Sequence, residues 1–319
     1  MEKQTSHHVR LASALLLLTG AAHAADRIGG IEFFGYKGLD LESIRKTLPV
    51  KPGDTITPQL KHQLRDQFHA TDVESVCCDE NHSAWLFIGL AGQSSRTIDY
   101  LLAPQGDARV SPELARLSKK REAALKAAVH KGGEAAEEDD SAGYAVSKDP
   151  GHRLLDLQLR AYALEHEAEI MSVLGESSSA EDRAIAAEAL GYAKQSPAQI
   201  AALIKASRDS DDDVRNNASR ALGVLAASSA ETAALIDPAP FIDMIGSGVW
   251  TDRNKGSFVL MELTKSRDPK ILNAIQSRAM DALQEMAAWH DTGHAMAAQL
   301  ILGRIAGKTD VDIYLSMPH

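Results

Sequence analysis

Cysteine is almost missing from this 319-residue chain. Cys77 and Cys78 are its two examples, too few for a disulfide scaffold. An excess of basic charge is missing too. Lys and Arg number 34 against 44 Asp and Glu, a net charge of -10. An acidic chain without a basic block is a poor binder of phosphate backbones, so no nucleic-acid partner is expected. No stretch approaches the run of about 20 apolar residues needed to cross a bilayer, so no transmembrane segment is expected. There is no P-loop, no dinucleotide-binding glycine fingerprint and no GxSxG elbow. What remains, 44% hydrophobic and 24% charged residues, suits one large or two ordinary globular domains and excludes collagen-like and wholly disordered chains.

The first 24 residues read as an export signal. Lys3, Arg10, His7 and His8 make a weakly basic start, residues 11–18 an apolar stretch, and Ala22-His23-Ala24 a small-x-small cleavage site. Cleavage near Ala24 removes Lys3, Arg10 and Glu2. The mature balance is then 34 − 2 = 32 against 44 − 1 = 43, or -11. The mature chain is expected to be periplasmic or secreted.

Residues 26–103 carry strand and turn chemistry. Ile28, Ile31, Phe33 and Phe34 form a β-prone run ending at Gly35. Leu41, Ile44 and Leu48 have helical spacing, and Pro52-Gly53-Asp54 forms a turn. Thr57-Pro58 predicts a helix start, with Leu60, Leu64 and Phe68 on one face. Residues 73–78 and 84–90 read as a hairpin. The order β-α-α-β-β, with its glycines after the first strand and Pro-Gly-Asp between the helices, resembles a POTRA domain over residues 28–91. That resemblance implies a periplasmic α+β module that binds partners partly by adding a strand to its sheet edge. No transmembrane barrel or helix follows it here. Cys77 and Cys78 are the redox candidates, beside Asp79, Glu80 and His82. Neighbours on a strand point to opposite faces, so one thiol is expected in the core and the other outside. Export leaves both bond formation and dimerisation open.

Residues 104–150 are expected to hold a turn, a helix and a linker. Ser111-Pro112-Glu113 predicts the helix start and Gly132-Gly133 its end. Lys119, Lys120 and Arg121 read as a solvated face of it. The acidic stretch 134–141 reads as a flexible loop.

Internal similarity organises the rest. Arg183, Ala186, Ala189, Leu190 and Gly191 recur 32 residues later as Arg215, Ala218, Ala221, Leu222 and Gly223. Arg253, Gly256, Val259 and Leu260 repeat the pattern loosely, as do Ala298, Ile301, Leu302 and Gly303. Helices are expected at 152–174, 197–207, 238–246 and 268–287. The small residues let helices approach and the leucine fills the core. The arginines recur near helix starts, where they can bond carboxylates or carbonyls of the next repeat. This segment resembles HEAT repeats of the short bacterial kind seen in phycobilisome-lyase-type proteins. That implies a mainly α fold, a C-terminal α-solenoid of about four helical hairpins over residues 152–310, with a concave surface that holds a protein. Arg183, Arg215, Asn216, Asn217, Trp250, Arg253 and Asn254 are the candidate lining of that groove.

A HEAT-repeat enzyme, deoxyhypusine hydroxylase, binds a di-iron centre through several His-Glu pairs. This chain has one, His166-Glu167, and the matching repeat positions lack the others. His290, Asp291 and His294 form a separate metal candidate if His290 and His294 share a helix face. No cofactor is expected. The expected function is a non-catalytic scaffold or adaptor that binds an envelope protein through the repeat groove. The alternative is a metal- or thiol-dependent enzyme on the same frame, and a regulator of a secreted hydrolase differs from the first only in its partner.

Overall fold

A computed structural model describes residues 27–77 and 83–317 of the chain. The expected export signal, Cys78, Asp79, Glu80 and His82 lie outside the described residues. The molecule is mainly helical with a small mixed sheet.

The N-terminal elements follow the sequence order. They are β1 (Ile28–Phe34), α1 (Leu41–Lys46), α2 (Pro58–Phe68), β2 (Asp72–Val76) and β3 (Ala84–Gly89). Thr57 caps α2 through the Leu60 N–H, and Pro58 takes its first position, where a missing N–H costs nothing. The sheet order is β1-β3-β2. Central β3 pairs parallel with β1 and antiparallel with β2. A parallel pair needs a long crossover, which the two helices supply.

Alternation along the strands divides their side chains between two cores. Phe33, Leu86 and Ile88 pack with Leu64 against α1 and α2. Phe34, Val76 and Phe87 point the other way and belong to the core of the helical part. A strand covered on both faces reads as a continuous apolar run, as Ala84–Gly89 does. The sheet is thus a middle layer, with its second face closed by the C-terminal helices.

The stretch after β3 is neither a turn nor a free linker. It runs as an extended strap across three interhelical turns, in reverse chain order. Bridges join Arg96 to Ser247, Leu101 to Asp209 and Gly106 to Ser177. The N–H groups of Arg96, Leu101 and Gly106 donate to the carbonyls of Gly246, Arg208 and Glu176 at 2.7, 2.7 and 2.8 Å.

The helical part comprises α3 (Pro112–Lys131), α4 (Pro150–Glu165), α5 (Glu167–Glu176), α6 (Ala180–Leu190), α7 (Pro197–Ala206), α8 (Asp212–Ser228), α9 (Ala230–Ala233), α10 (Ala239–Ile245), α11 (Trp250–Leu263), α12 (Pro269–Arg278), α13 (Met280–Ala287), α14 (Thr292–Ile305) and α15 (Asp310–Ser316). Two expected long helices are broken. His166 divides α4 from α5 and Ala279 divides α12 from α13, each with ψ near zero and φ beyond -110°. The breaks redirect the chain, so each half turns its own apolar side to the core. Successive helices α6, α8, α11 and α14 pack in a row, with α5, α7, α10 and α13 flanking them. Ala186, Ala189, Leu190, Ala218 and Leu222 are buried as the repeat pattern requires.

The repeat glycines mark close approaches. A Cβ on Gly223 would stand 2.2 Å from the Phe258 ring of α11, and one on Gly191 would stand 2.8 Å from Ala221 of α8. Gly223→Ala is expected to destabilise the chain by about 1–3 kcal/mol through overpacking. The shift of the urea midpoint measures it.

The acidic stretch is folded, not a flexible linker. Residues Glu138–Asp139 and Val146–Ser147 form a short antiparallel hairpin, β4 and β5. Glu138 accepts two hydrogen bonds from Arg220 of α8, a partner 82 residues away that composition does not show.

Candidate functional site

Arg183, Arg215 and Arg253 are the fourth residues of α6, α8 and α11. Each guanidinium turns back to the carbonyl six residues earlier. Arg183 reaches Ser177 O at 3.0 Å, Arg215 reaches Asp209 O at 2.9 Å and Arg253 reaches Ser247 O at 2.7 Å. Each also reaches forward to a carboxylate. Arg183 grips both oxygens of Asp209 at 2.8 Å, and Arg215 both oxygens of Asp252 at 2.8 and 3.2 Å. Arg253 meets Glu285 at 3.4 Å and donates to Ser94 O at 2.7 Å. Bidentate arginine–carboxylate pairs are strong and directional, and these links tie each turn to the next helical layer, through Asp209 before α8, Asp252 at the start of α11 and Glu285 in α13.

These arginines are fully enclosed, at 0–2% exposure. Trp250 is buried against Phe87 and His294, with ring centroids 5.0 and 5.3 Å away. Asn216 and Asn254 are buried, and half-buried Asn217 donates to Ala184 O at 3.0 Å. Residues 250–254 form the first turn of a helix buried along its whole length. Six of the seven candidates are therefore enclosed, while half-buried Asn217 lines a small cleft with Glu188, Tyr192 and Arg220. The sheet covers Trp250 through Phe87, and the strap covers Arg215 through Tyr100 and Arg253 through Ser94.

Glu285 of α13 is where this series meets the sheet. Its Oε2 accepts the Gly35 N–H at 2.8 Å. Its Oε1 accepts the Lys37 N–H at 2.9 Å and the Ser94 hydroxyl at 2.5 Å. Nearby, Glu32 of β1 accepts the His290 N–H at 2.6 Å, and Trp289 Nε1 donates to Phe33 O at 3.0 Å. Burial drives the Arg253 pKa down to about 10, and the Glu285 carboxylate opposes that fall.

Asp72 of β2 caps α11 from outside, accepting the Trp250 N–H at 2.9 Å. Val249, the residue at the cap position, offers no side-chain bond. Burial pushes the Asp72 carboxyl up to about 6 from 3.8, with the Trp250 bond opposing. Between those values the folded chain holds a proton that the unfolded chain releases, so this group's contribution falls as pH rises from about 4 to about 6. Asp72→Asn keeps an acceptor for Trp250 and is expected to remove that slope. Urea melts at low and neutral pH check it. Relative to the variant, wild type should lose about 3 kcal/mol across the window.

A second buried cluster centres on Arg121, which is enclosed rather than part of a solvated face. It donates to Asp156 at 2.6 Å, to Tyr192 at 2.7 Å and to Glu188. His152 Nε2 stands 3.3 Å from Asp156, and burial lowers the His152 pKa. Burial alone would raise the Glu138 pKa, but the guanidiniums of Arg220 and Arg121 hold it below the usual range. Lys255 is buried nearby, and desolvation lowers its pKa to about 7. No sequence motif marks this cluster, because its members come from α3, α4, α6, α8, α11 and β4.

His290 and His294 diverge. His290 Nδ1 lies 2.9 Å from Glu32, while His294 Nδ1 lies 2.6 Å from Asp291, the cap of α14. Burial works to raise the Asp291 pKa, but His294 and backbone bonds hold it down. The His294 Nε2 is buried without a hydrogen-bond partner. Among the described residues, no three His, Cys, Asp or Glu side chains gather to hold a metal. Cys77 follows β2 and is disulfide-bonded.

Open apolar chemistry lies at the two ends of the helical part. On α15, Val311 and Leu315 are 66% and 76% exposed. The opposite, inward side of α15 carries Ile313, which lines a cleft of about 310 Å³ with Leu302, Ala306 and Met317. On α4, Leu154, Leu157 and Leu164 are 58%, 42% and 49% exposed. They adjoin a cleft of about 510 Å³ between α3 and α4. No described helix is long and apolar enough to cross a membrane.

No protein family matches this chain, and no curated protein matches it. A solved structure of an engineered protein is 18% identical over 61% of this chain and 80% of its own, with a TM-score of 0.37. A score that low carries no argument about function or fold.

Proposed function

We propose that the chain is a non-catalytic, protein-binding scaffold or adaptor of the bacterial cell envelope. In this reading it is a HEAT-like solenoid with a POTRA-like unit docked on it, exported after cleavage near Ala24. The repeat pattern of the arginines, the row α6, α8, α11 and α14, and the β-α-α-β-β order support it. The observation that carries it is the exposed pair Val311 and Leu315, four residues apart on the outer face of α15, since an exposed apolar patch marks an interaction site. The partner face then sits at the C-terminal end, not along the inward-facing arginines.

A crosslinking pull-down from native envelope with the mature chain and its Leu315→Glu variant tests this. One reproducible partner held by the mature chain and released by the variant is the expected result. No partner, together with near-stoichiometric metal in the same purified sample, would overturn it. That outcome would favour the second reading, a metal- or thiol-dependent enzyme. Its supporting observation is the Asp291–His294 pair with its unpartnered, buried Nε2.

A further inference from the structure

The outer face of α4 repeats an apolar residue at 154, 157, 161 and 164. Leu154, Leu157, Ala161 and Leu164 are all exposed. The spacing of three, four and three is that of a two-helix seam. A helix that merely faces water has no need of three leucines at that spacing, and Leu159 and Tyr162 already supply its inward face.

The surroundings say what fits the seam. Helices α3 and α4 run in opposite directions: Ser111 Oγ lies 2.8 Å from the Tyr162 hydroxyl, while Arg121 lies 2.6 Å from Asp156. This gathers Glu113 and Glu165 at one end of the face. It gathers Lys120 and Arg153 at the other, with Arg116 between them on the cleft wall. All five are exposed, and none shares an ion pair among the described residues. The face is therefore bipolar along its length.

We propose that this face pairs with a second copy of the chain, α4 against α4 and antiparallel, about a twofold axis level with the middle of the stripe. A twofold interface must be self-complementary, and this face is so in two independent ways. Reversal lays the acidic end of one copy over the basic end of the other. It also sets Leu154 beside Leu164 of the second copy and Leu157 beside Ala161 of the second copy. The small Ala161 borders the cleft between α3 and α4, which leaves room for the incoming leucine. A parallel pairing would instead oppose like charges at both ends. The inference does not rest on the envelope-adaptor reading, because it concerns a different face.

Sedimentation of the mature chain, with and without reductant, tests the proposal. A reversible dimer that survives reduction is expected. Leu157→Glu should make it monomeric with unchanged circular dichroism. Arg153→Glu should weaken the dimer about tenfold or more by setting like charges face to face. The double change Arg153→Glu with Glu165→Arg should recover most of that loss. A wild-type monomer, a dimer lost on reduction, a dimer indifferent to Leu157→Glu, or a double variant weaker than Arg153→Glu alone would overturn the proposal.

Discussion

Glu285→Gln is expected to lower stability by about 3–5 kcal/mol. It should also loosen the sheet from the helices before the helices themselves unfold. Four donors converge on this one carboxylate: the N–H groups of Gly35 and Lys37, the Ser94 hydroxyl and the Arg253 guanidinium. Glutamine replaces one of its two acceptor oxygens with a donor amide. On that side a buried N–H or hydroxyl then faces another donor. Arg253 is fully buried and loses its counter-charge, and an uncompensated buried charge is the larger part of the cost. Thermal unfolding followed by Trp289 and Trp250 fluorescence, beside far-ultraviolet circular dichroism, reads the effect. The fluorescence midpoint should fall further than the helical one.

Asp252→Asn is expected to cost a similar amount, about 3–5 kcal/mol, and to release the strap. Asp252 accepts two bonds from Arg215, one from Ser247 at 2.7 Å and one from the Tyr100 hydroxyl. Arg215 also lies over the Tyr100 ring, 3.8 Å from its centroid, a cation–π contact. Asparagine leaves the buried guanidinium without a negative partner and weakens the hold on Tyr100. Proteolysis near residues 97–104 should accelerate well beyond what the drop in global stability alone produces. Cleavage at the wild-type rate per unfolded molecule would contradict the strap's dependence on Asp252.

Much of the local architecture was readable from residue order. Thr57-Pro58 and Ser111-Pro112 start their helices where their chemistry requires. The repeated arginines reach the carboxylates of neighbouring turns. What escaped was everything set by distant partners. Trp250–Leu263 has no polar side to mark it as a helix, because it is buried on all sides. Its Asp252 and Arg253 are tolerated only through Arg215, Ser247 and Glu285. Arg121 looked solvated because its partners, Asp156, Glu188 and Tyr192, lie 35 to 71 residues away. The acidic residue Glu138 looked like linker for the same reason. The two-sided burial of β3 was visible as a continuous apolar run. That run could not say that the second covering layer is built from residues after 240.

The central structural claim is that sheet, strap and helices form one unit joined through the arginine series and Glu285. Residue-resolved hydrogen exchange on the wild-type chain tests it most directly. The amides of Gly35 and Lys37 donate to a side chain about 250 residues away in sequence. If the unit is single, they exchange only by global unfolding and match the slowest interior amides of α11. Fast exchange at Gly35 and Lys37 while α11 stays protected would show that the sheet detaches on its own, and would contradict the claim.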